Sequence, residues 1–233
     1  PADVTAYRLI HAEADGLPGL IVDRYDSWLV AQFHTAGVEA QRETILAALT
    51  HALGQAVVEG IATRDDIRAR AREGLVVGGA SVAWGLVPDE IEVIESGVRY
   101  LVAPLTGQKT GFFLDQRDNR NYIRSVSSGK SVLNLFSYSG GFSVYAGLGG
   151  AKKVASLDVS KGAIALAEEN WELNGLDKKY HTGLCVDVFE YLSGDAEMWD
   201  HIIVDPPSMS HSENQRDVAK AKYVDLFAAA AKR

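Results

Sequence analysis

Cysteine is almost absent: Cys185 is the one thiol in 233 residues. A single cysteine excludes a disulfide scaffold and a cysteine-built metal centre, and the default expectation is a reduced, cytoplasmic setting. No apolar run approaches the roughly 20 residues that a membrane span requires. The opening Pro1-Ala2-Asp3-Val4 lacks the basic-then-apolar pattern of a secretory signal. Positive charge is also short, with 23 Lys+Arg against 31 Asp+Glu and a net charge of -8. A protein that lives on non-specific phosphate contacts is ordinarily basic, so any contact with nucleic acid has to come from a local patch or from another segment. What is present is ordinary globular material, 47% hydrophobic and 23% charged, which excludes a disordered or collagen-like chain. The length suits one large domain or two modest ones.

Two grammars share the chain. From Gly19 to His34 a hairpin is expected, Leu20–Tyr25 and Trp28–His34 around a polar Asp26-Ser27 turn. A helix over Val38–Leu53 follows, with Ile45, Leu46, Leu49 and Leu53 on one stripe and Gly54 as its stop. A second hairpin joins Ile91–Glu95 to Val98–Val102. Beyond Pro104 strands and helices alternate: strand Ser131–Phe136, helix Gly141–Leu148, strand Lys153–Val159, helix Ser160–Asn174, strand His181–Val186, helix Val188–Leu192, strand His201–Asp205 and helix Val218–Ala231. That alternation predicts a parallel sheet wrapped by helices. The fold class expected is therefore α/β, with a smaller α+β domain over residues 1–106 preceding an α/β domain over 107–233. An open sheet stopping after a fourth strand would keep an unpaired apolar edge, and a truncated domain is the expectation.

Four places carry chemistry. Asn134-Leu135-Phe136-Ser137-Tyr138-Ser139-Gly140-Gly141-Phe142 closes a strand and opens a helix, where glycines admit a ligand to the backbone and the helix N-terminus suits an anion. Its spacing is not the dinucleotide fingerprint G-x-G-x-x-G. Asp158, about 20 residues on at the next strand's end, is placed for ribose hydroxyls, or is a surface or capping aspartate. Asp187 either accepts from an adenine amine or caps the helix that follows. Asp205-Pro206-Pro207-Ser208 is a rigid loop at the sheet's carboxyl edge, of the kind that holds a planar base against a methyl donor.

With these residues in view, the chain resembles the class I S-adenosylmethionine (SAM) methyltransferases, and within them the bacterial large-subunit ribosomal RNA cytosine-C5 methyltransferases. The resemblance runs through His11–Tyr25 (HAEADGLPGLIVDRY), Lys109–Arg120 (KTGFFLDQRDNR), Asn134–Phe142 and Asp205-Pro206-Pro207. It implies a Rossmann-like catalytic domain after a central α+β domain, in a protein whose RNA-binding PUA domain precedes this chain. It implies that Asn134, Phe136, Ser137, Ser139 and Gly140 line the methionine side of SAM, that Asp158 holds the ribose and Asp187 the adenine. Phe113, Asp115, Gln116 and Arg117 would close over the cofactor, Arg117 facing its carboxylate. Asp205, Pro206 and Pro207 would frame the target base, with Met209 where the family usually has an aromatic.

Ribosomal RNA is the implied substrate, without metal or membrane, and a homodimer is left open. Methylation at C5 needs a thiolate that adds to the neighbouring ring carbon; in the family that cysteine lies on a loop beyond the position of Arg233. Cys185 is expected to be a buried, inert packing residue. Lys109, Arg117, Arg120, Arg124 and Lys130 against Asp115 and Asp118 form a local basic stripe, suited to phosphates or merely solvated. Tyr223 and Phe227, four apart, are expected in the core. The alternatives are a SAM-dependent N-methyltransferase on guanine or adenine of RNA, which Ser208 argues against where such enzymes place an aromatic, and a non-catalytic SAM- and RNA-binding module. A nicotinamide dehydrogenase is more distant.

Overall fold

The computed structural model describes residues 3–54, 57–194, 197–210 and 213–233. The chain divides into two compact units, Pro1–Asp115 and Gln116–Arg233, whereas the change of sequence grammar put the boundary at 106/107.

The first unit is built on β1 (Ala6–His11), β2 (Leu20–Tyr25), β3 (Trp28–Phe33), β4 (Gly60–Arg64) and β5 (Ala80–Gly85), hydrogen-bonded in that order. All neighbours are antiparallel except β3 and β4, because a helical crossover joins those two. Leu20, Val22, Leu29, Ala31 and Phe33 bury against Leu46 and Leu49 of that crossover. The stripe that predicts one helix over Val38–Leu53 folds as two, α1 (Ala36–Ala40) and α2 (Arg42–Leu53). Gln41 leaves helical angles (φ -104°, ψ 11°). An ion cluster pins the break: Arg42 pairs with Glu39 at 2.8 Å and Asp65 at 2.7 Å, and buried Arg70 reaches Glu39 at 2.9 Å. After the short α3 (Ala69–Arg72), the expected hairpin is present as β6 (Ile91–Glu95) and β7 (Val98–Val102), a separate two-stranded sheet.

The second unit begins with α4 (Arg117–Val126) and continues as β8 (Ser131–Leu135), α5 (Gly141–Leu148), β9 (Lys153–Asp158), α6 (Lys161–Leu173), β10 (His181–Cys185), α7 (Val188–Ser193), β11 (His201–Val204) and α8 (Arg216–Ala230). The four strands are parallel, in the order β10-β9-β8-β11. Alternation along the strands sends Leu133, Leu135 and Leu157 to one face, under α7 and α8, and Val132 and Val154 to the other, against Ala146 of α5 and Trp171 of α6. At the amino edge Asp200 accepts from the amide and hydroxyl of Ser131 (2.8 and 3.0 Å) and pairs with Lys152. Those donors, the Ser131 amide first, hold its carboxyl well below the usual range. Chain order runs outward from β8 through β9 to β10, then returns to β11 on the other side of β8. The reversal makes the carboxyl edge between β8 and its neighbours the crevice where open α/β sheets take ligands.

One polar chain crosses the apolar interior. Asn134 Nδ2 donates to Ser143 Oγ at 3.0 Å, Ser143 meets Ser156 Oγ at 2.6 Å, and Ser156 meets His181 Nε2 at 2.8 Å. The His181 ring stacks on Trp171 with centroids 4.7 Å apart. Burial lowers the His181 pKa to about 4, so the folded state holds it neutral where the unfolded chain, titrating near 6.5, takes up a proton. The stability His181 contributes is therefore complete above about pH 6.5 and is lost as pH falls from there toward 4. The stability advantage of the wild type over His181→Gln, read as urea midpoints, is expected to shrink between pH 7.5 and 4.5. An advantage that stays constant over that range would contradict the assignment.

Candidate cofactor and base site

β8 ends at Leu135, one residue before the Phe136 expected from sequence, because the backbone turns left-handed there. Phe136 (φ 55°), Tyr138 (φ 46°) and Gly140 (φ 73°) all lie in that region. For the two residues with side chains this conformation is costly and persists only where surroundings enforce it. Here Ser137 N donates to Leu157 O at 2.9 Å, and Tyr138 N donates to Asp158 Oδ2 at 3.0 Å. Asn170 of α6 donates from Nδ2 to Ser139 O at 3.0 Å. Gly140 has no room for more: a Cβ there would meet Ala167 Cβ at 2.7 Å.

The same turn holds two unused binding features. Ser137 Oγ is buried and has no hydrogen-bond partner among the described residues, and no side chain caps the start of α5. An unmet buried hydroxyl is expensive and marks a place where a ligand group would supply the missing bond. Asn134, by contrast, is 1% exposed with its amide turned toward Ser143 inside the sheet. Phe136 packs against the Leu133–Leu135 cluster.

Asp158 sits at the carboxyl end of β9. Its oxygens accept from Tyr138 N and from Ser160 N (2.9 Å), and each carboxylate oxygen has a second lone pair. Asp187 caps α7, with Oδ1 accepting from the amides of Phe189 and Glu190 (2.8 and 3.1 Å); its other oxygen has no partner among the described residues. Cys185 corrects the expectation of burial. β10 is the outer strand of the sheet, and the thiol at its end is exposed, 3.4 Å from Val159 O.

The Asp205-Pro206-Pro207 loop leaves β11, the strand beside β8, so it and the Phe136–Gly140 turn emerge side by side. Asp205 is exposed and accepts from Gln116 Nε2 at 3.2 Å, while Gln116 Oε1 accepts from Asn119 Nδ2 at 2.6 Å. Met209 packs into the core cluster, and the Tyr223 hydroxyl lies 3.4 Å from Met209 N and 3.5 Å from Pro207 O. Arg117, half-buried, opens α4. Phe113 and Asp115 belong to the first unit, with the Lys109 ammonium 4.2 Å from the Phe113 ring centroid and 3.4 Å from Asp115.

Two further expectations change. Arg120 is buried at 2% exposure, so the basic stripe loses one member to packing. Phe227 is 51% exposed, outside the core assigned to it, because α8 turns Leu226 rather than Phe227 inward. Sequence reasoning also missed Asn170, Ser143 and Tyr223 as supports. The available signal was an asparagine, Asn170, spaced with Ala163, Ile164, Ala167 and Trp171 on the apolar stripe of α6.

Residues 27–220 match the model of a family described as S-adenosylmethionine-dependent methyltransferase. The chain belongs to that family. The methyltransferase is 44% identical over 96% of its length to the ribosomal RNA large subunit methyltransferase I of Aeromonas salmonicida, and 41% identical over 96% to that of Vibrio cholerae. It spans 56% and 57% of those relatives. Among solved structures it matches one described as a SAM-dependent methyltransferase of Streptococcus mutans, with TM-score 0.79, 31% identity, and 94% of this chain and 57% of that one covered. A methyltransferase solved with S-adenosylhomocysteine (SAH) matches at TM-score 0.79 and 32% identity, covering 91% and 54%. A tRNA m1G37 methyltransferase of M. jannaschii, at 21% identity and TM-score 0.62 over 88% and 55%, shares the fold.

The unmet Ser137 hydroxyl, the uncapped α5 and the spare lone pairs of Asp158 and Asp187 fit the polar ends of SAM. Gly140→Ala tests whether the turn is as constrained as its angles imply. Left-handed backbone alone costs roughly 1–3 kcal/mol for a residue with a Cβ, and the approach to Ala167 adds to it. The expected result is a lower urea midpoint with an unchanged slope; an unaltered midpoint would show that the turn relaxes freely.

Proposed function

We propose that this methyltransferase chain is the SAM-binding part of an enzyme that forms 5-methylcytosine in large-subunit ribosomal RNA. The likeness, along nearly the whole chain, to proteins described as ribosomal RNA large subunit methyltransferase I supports the ribosomal RNA substrate, and the cytosine-C5 part of the reading rests on the motif resemblance. When bound, SAM supplies a methyl group made electrophilic by its sulfonium. The chain's own residues bind and orient. Ser137 gives its free hydroxyl to the methionine end beside Ser139 and Gly140, Asp158 accepts from the ribose hydroxyls, and the spare oxygen of Asp187 accepts from the adenine amine. Gln116 and Arg117, with Phe113 and Asp115, serve the cofactor on the strength of the family resemblance, as do Asn134 and Phe136. Asp205, Pro206 and Pro207 frame the base, their loop braced by Gln116 and Tyr223.

The thiolate that C5 chemistry needs is not Cys185. That residue ends β10, three strand spacings or about 14 Å across the sheet from β11 and its loop. In the full-length protein Cys185→Ala is expected to keep its rate of methylation within about twofold; loss of activity would overturn this assignment.

Two measurements test the proposal. Ser137→Ala removes a hydroxyl with no partner among the described residues, so its melting temperature should hold or rise slightly, while SAH affinity falls about fivefold to tenfold, the ~1–1.5 kcal/mol of one hydrogen bond. Full-length protein incubated with heavy-methyl SAM and unmodified large-subunit ribosomal RNA should yield labelled 5-methylcytidine on nucleoside mass spectrometry. Labelled guanosine or adenosine would favour an N-methyltransferase instead, and no labelled nucleoside at all would refute the proposal.

A further inference from the structure

The HAEADGLPGLIVDRY and KTGFFLDQRDNR stretches lie far apart in sequence, and the proposed chemistry gives the first of them no task. Within the first unit buried hydrogen bonds at Thr110 join them. Asp23 on β2 is fully buried. Arg8 of β1 clamps it with two bonds, Nε to Oδ1 at 2.8 Å and Nη2 to Oδ2 at 3.1 Å. Thr110 Oγ1 lies 2.6 Å from Asp23 Oδ2 and 2.9 Å from the Tyr25 hydroxyl. The roles follow from proton counting. A carboxylate only accepts, so the one Thr110 hydroxyl proton goes to Asp23, and Tyr25 must be the donor to Thr110. The result is a directed chain from Tyr25 to Thr110 to Asp23, closed by Arg8.

Thr110 is 1% exposed and sits inside a loop that is set residue by residue. Lys109 is left-handed at φ 51° and Gly111 at φ 123°, where a Cβ would also press on Ala103 O at 3.3 Å. Phe112, 3% exposed, packs on Tyr100 of β7 with ring centroids 4.9 Å apart. The loop is thus anchored inward at Thr110 and Phe112. The residues that follow, half-buried Phe113 and exposed Asp115, are the ones turned outward. A buried carboxylate with an ionic clamp costs desolvation that a plain apolar contact would not, and such groups serve best where one conformation has to be specified.

We propose that Asp23, through Thr110 and with Tyr25 and Arg8, is a positioning residue for the cofactor, fixing the backbone that presents Phe113 and Asp115. This rests on the reading that those two residues serve SAM. The test uses full-length protein, with SAH affinity by calorimetry and the rate of tryptic cleavage after Lys109 under native conditions. Thr110→Val removes both the donor to Asp23 and the acceptor for Tyr25. It is expected to weaken SAH at least fivefold and to speed cleavage after Lys109, while Thr110→Ser, which keeps both bonds, stays within twofold of wild type. Tyr25→Phe, which keeps the ring in the core, covers the case in which Thr110→Val does not fold, with an expected loss of about threefold. Lower melting temperatures with unchanged SAH affinity and unchanged cleavage at Lys109 would make the cluster merely structural and overturn the proposal. A wild type that binds no SAH would instead sink the cofactor reading on which it rests.

Discussion

Among the described residues of the second unit, the turn from β8 into α5 asks most of the backbone, and the Asp158 carboxylate helps to hold it. Phe136 and Tyr138 take left-handed angles that bulky side chains resist, and neither would persist in an isolated peptide. Two bonds to β9, Ser137 N to Leu157 O and Tyr138 N to Asp158 Oδ2, fix the turn against the neighbouring strand. The strain becomes a fixed geometry: Ser137 is directed into a buried position with its hydroxyl unmet, and α5 starts without a side-chain cap. Asp158 therefore has two duties. It braces the turn, and it presents its remaining lone pairs at the same carboxyl edge.

Sheet order turns this local device into a site. Because β11 returns to the far side of β8, the Asp205-Pro206-Pro207 loop emerges next to the strained turn, while Asp158 and Asp187 follow in line on the other side. In the proposed function the cofactor's length runs along these successive strand ends, and the loop proposed to frame the base adjoins the end proposed for methionine. Behind the edge, the Asn134–Ser143–Ser156–His181 chain ties three strands and α5, and burial keeps His181 neutral.

Much of this was legible in the sequence. Apolar strands alternating with helices of regular apolar spacing gave the parallel unit nearly residue by residue, since periodicity is a local signal. The glycine turn, Asp158 and the Pro-Pro loop were visible as chemistry placed at strand ends. What was not legible depends on neighbours. The break at Gln41 is pinned by ion pairs reaching from Arg42 to Asp65 and from Glu39 to Arg70. The exposure of Cys185 follows from β10 being an outer strand, a fact of sheet order. Arg120 looked like part of a charged face, yet tertiary packing buries it. The left-handed angles at Phe136 and Tyr138 have no sequence signal, because those residue types argue against them.

The central claim is that the strained turn and the two strand-end aspartates form the cofactor site. Hydrogen exchange of the full-length protein, with and without SAH, tests it most directly. Protection is expected to concentrate in peptides covering residues 136–141, 157–160 and 186–188. Unchanged exchange there, with protection concentrated instead in α8 or in the β6–β7 hairpin, would contradict the account.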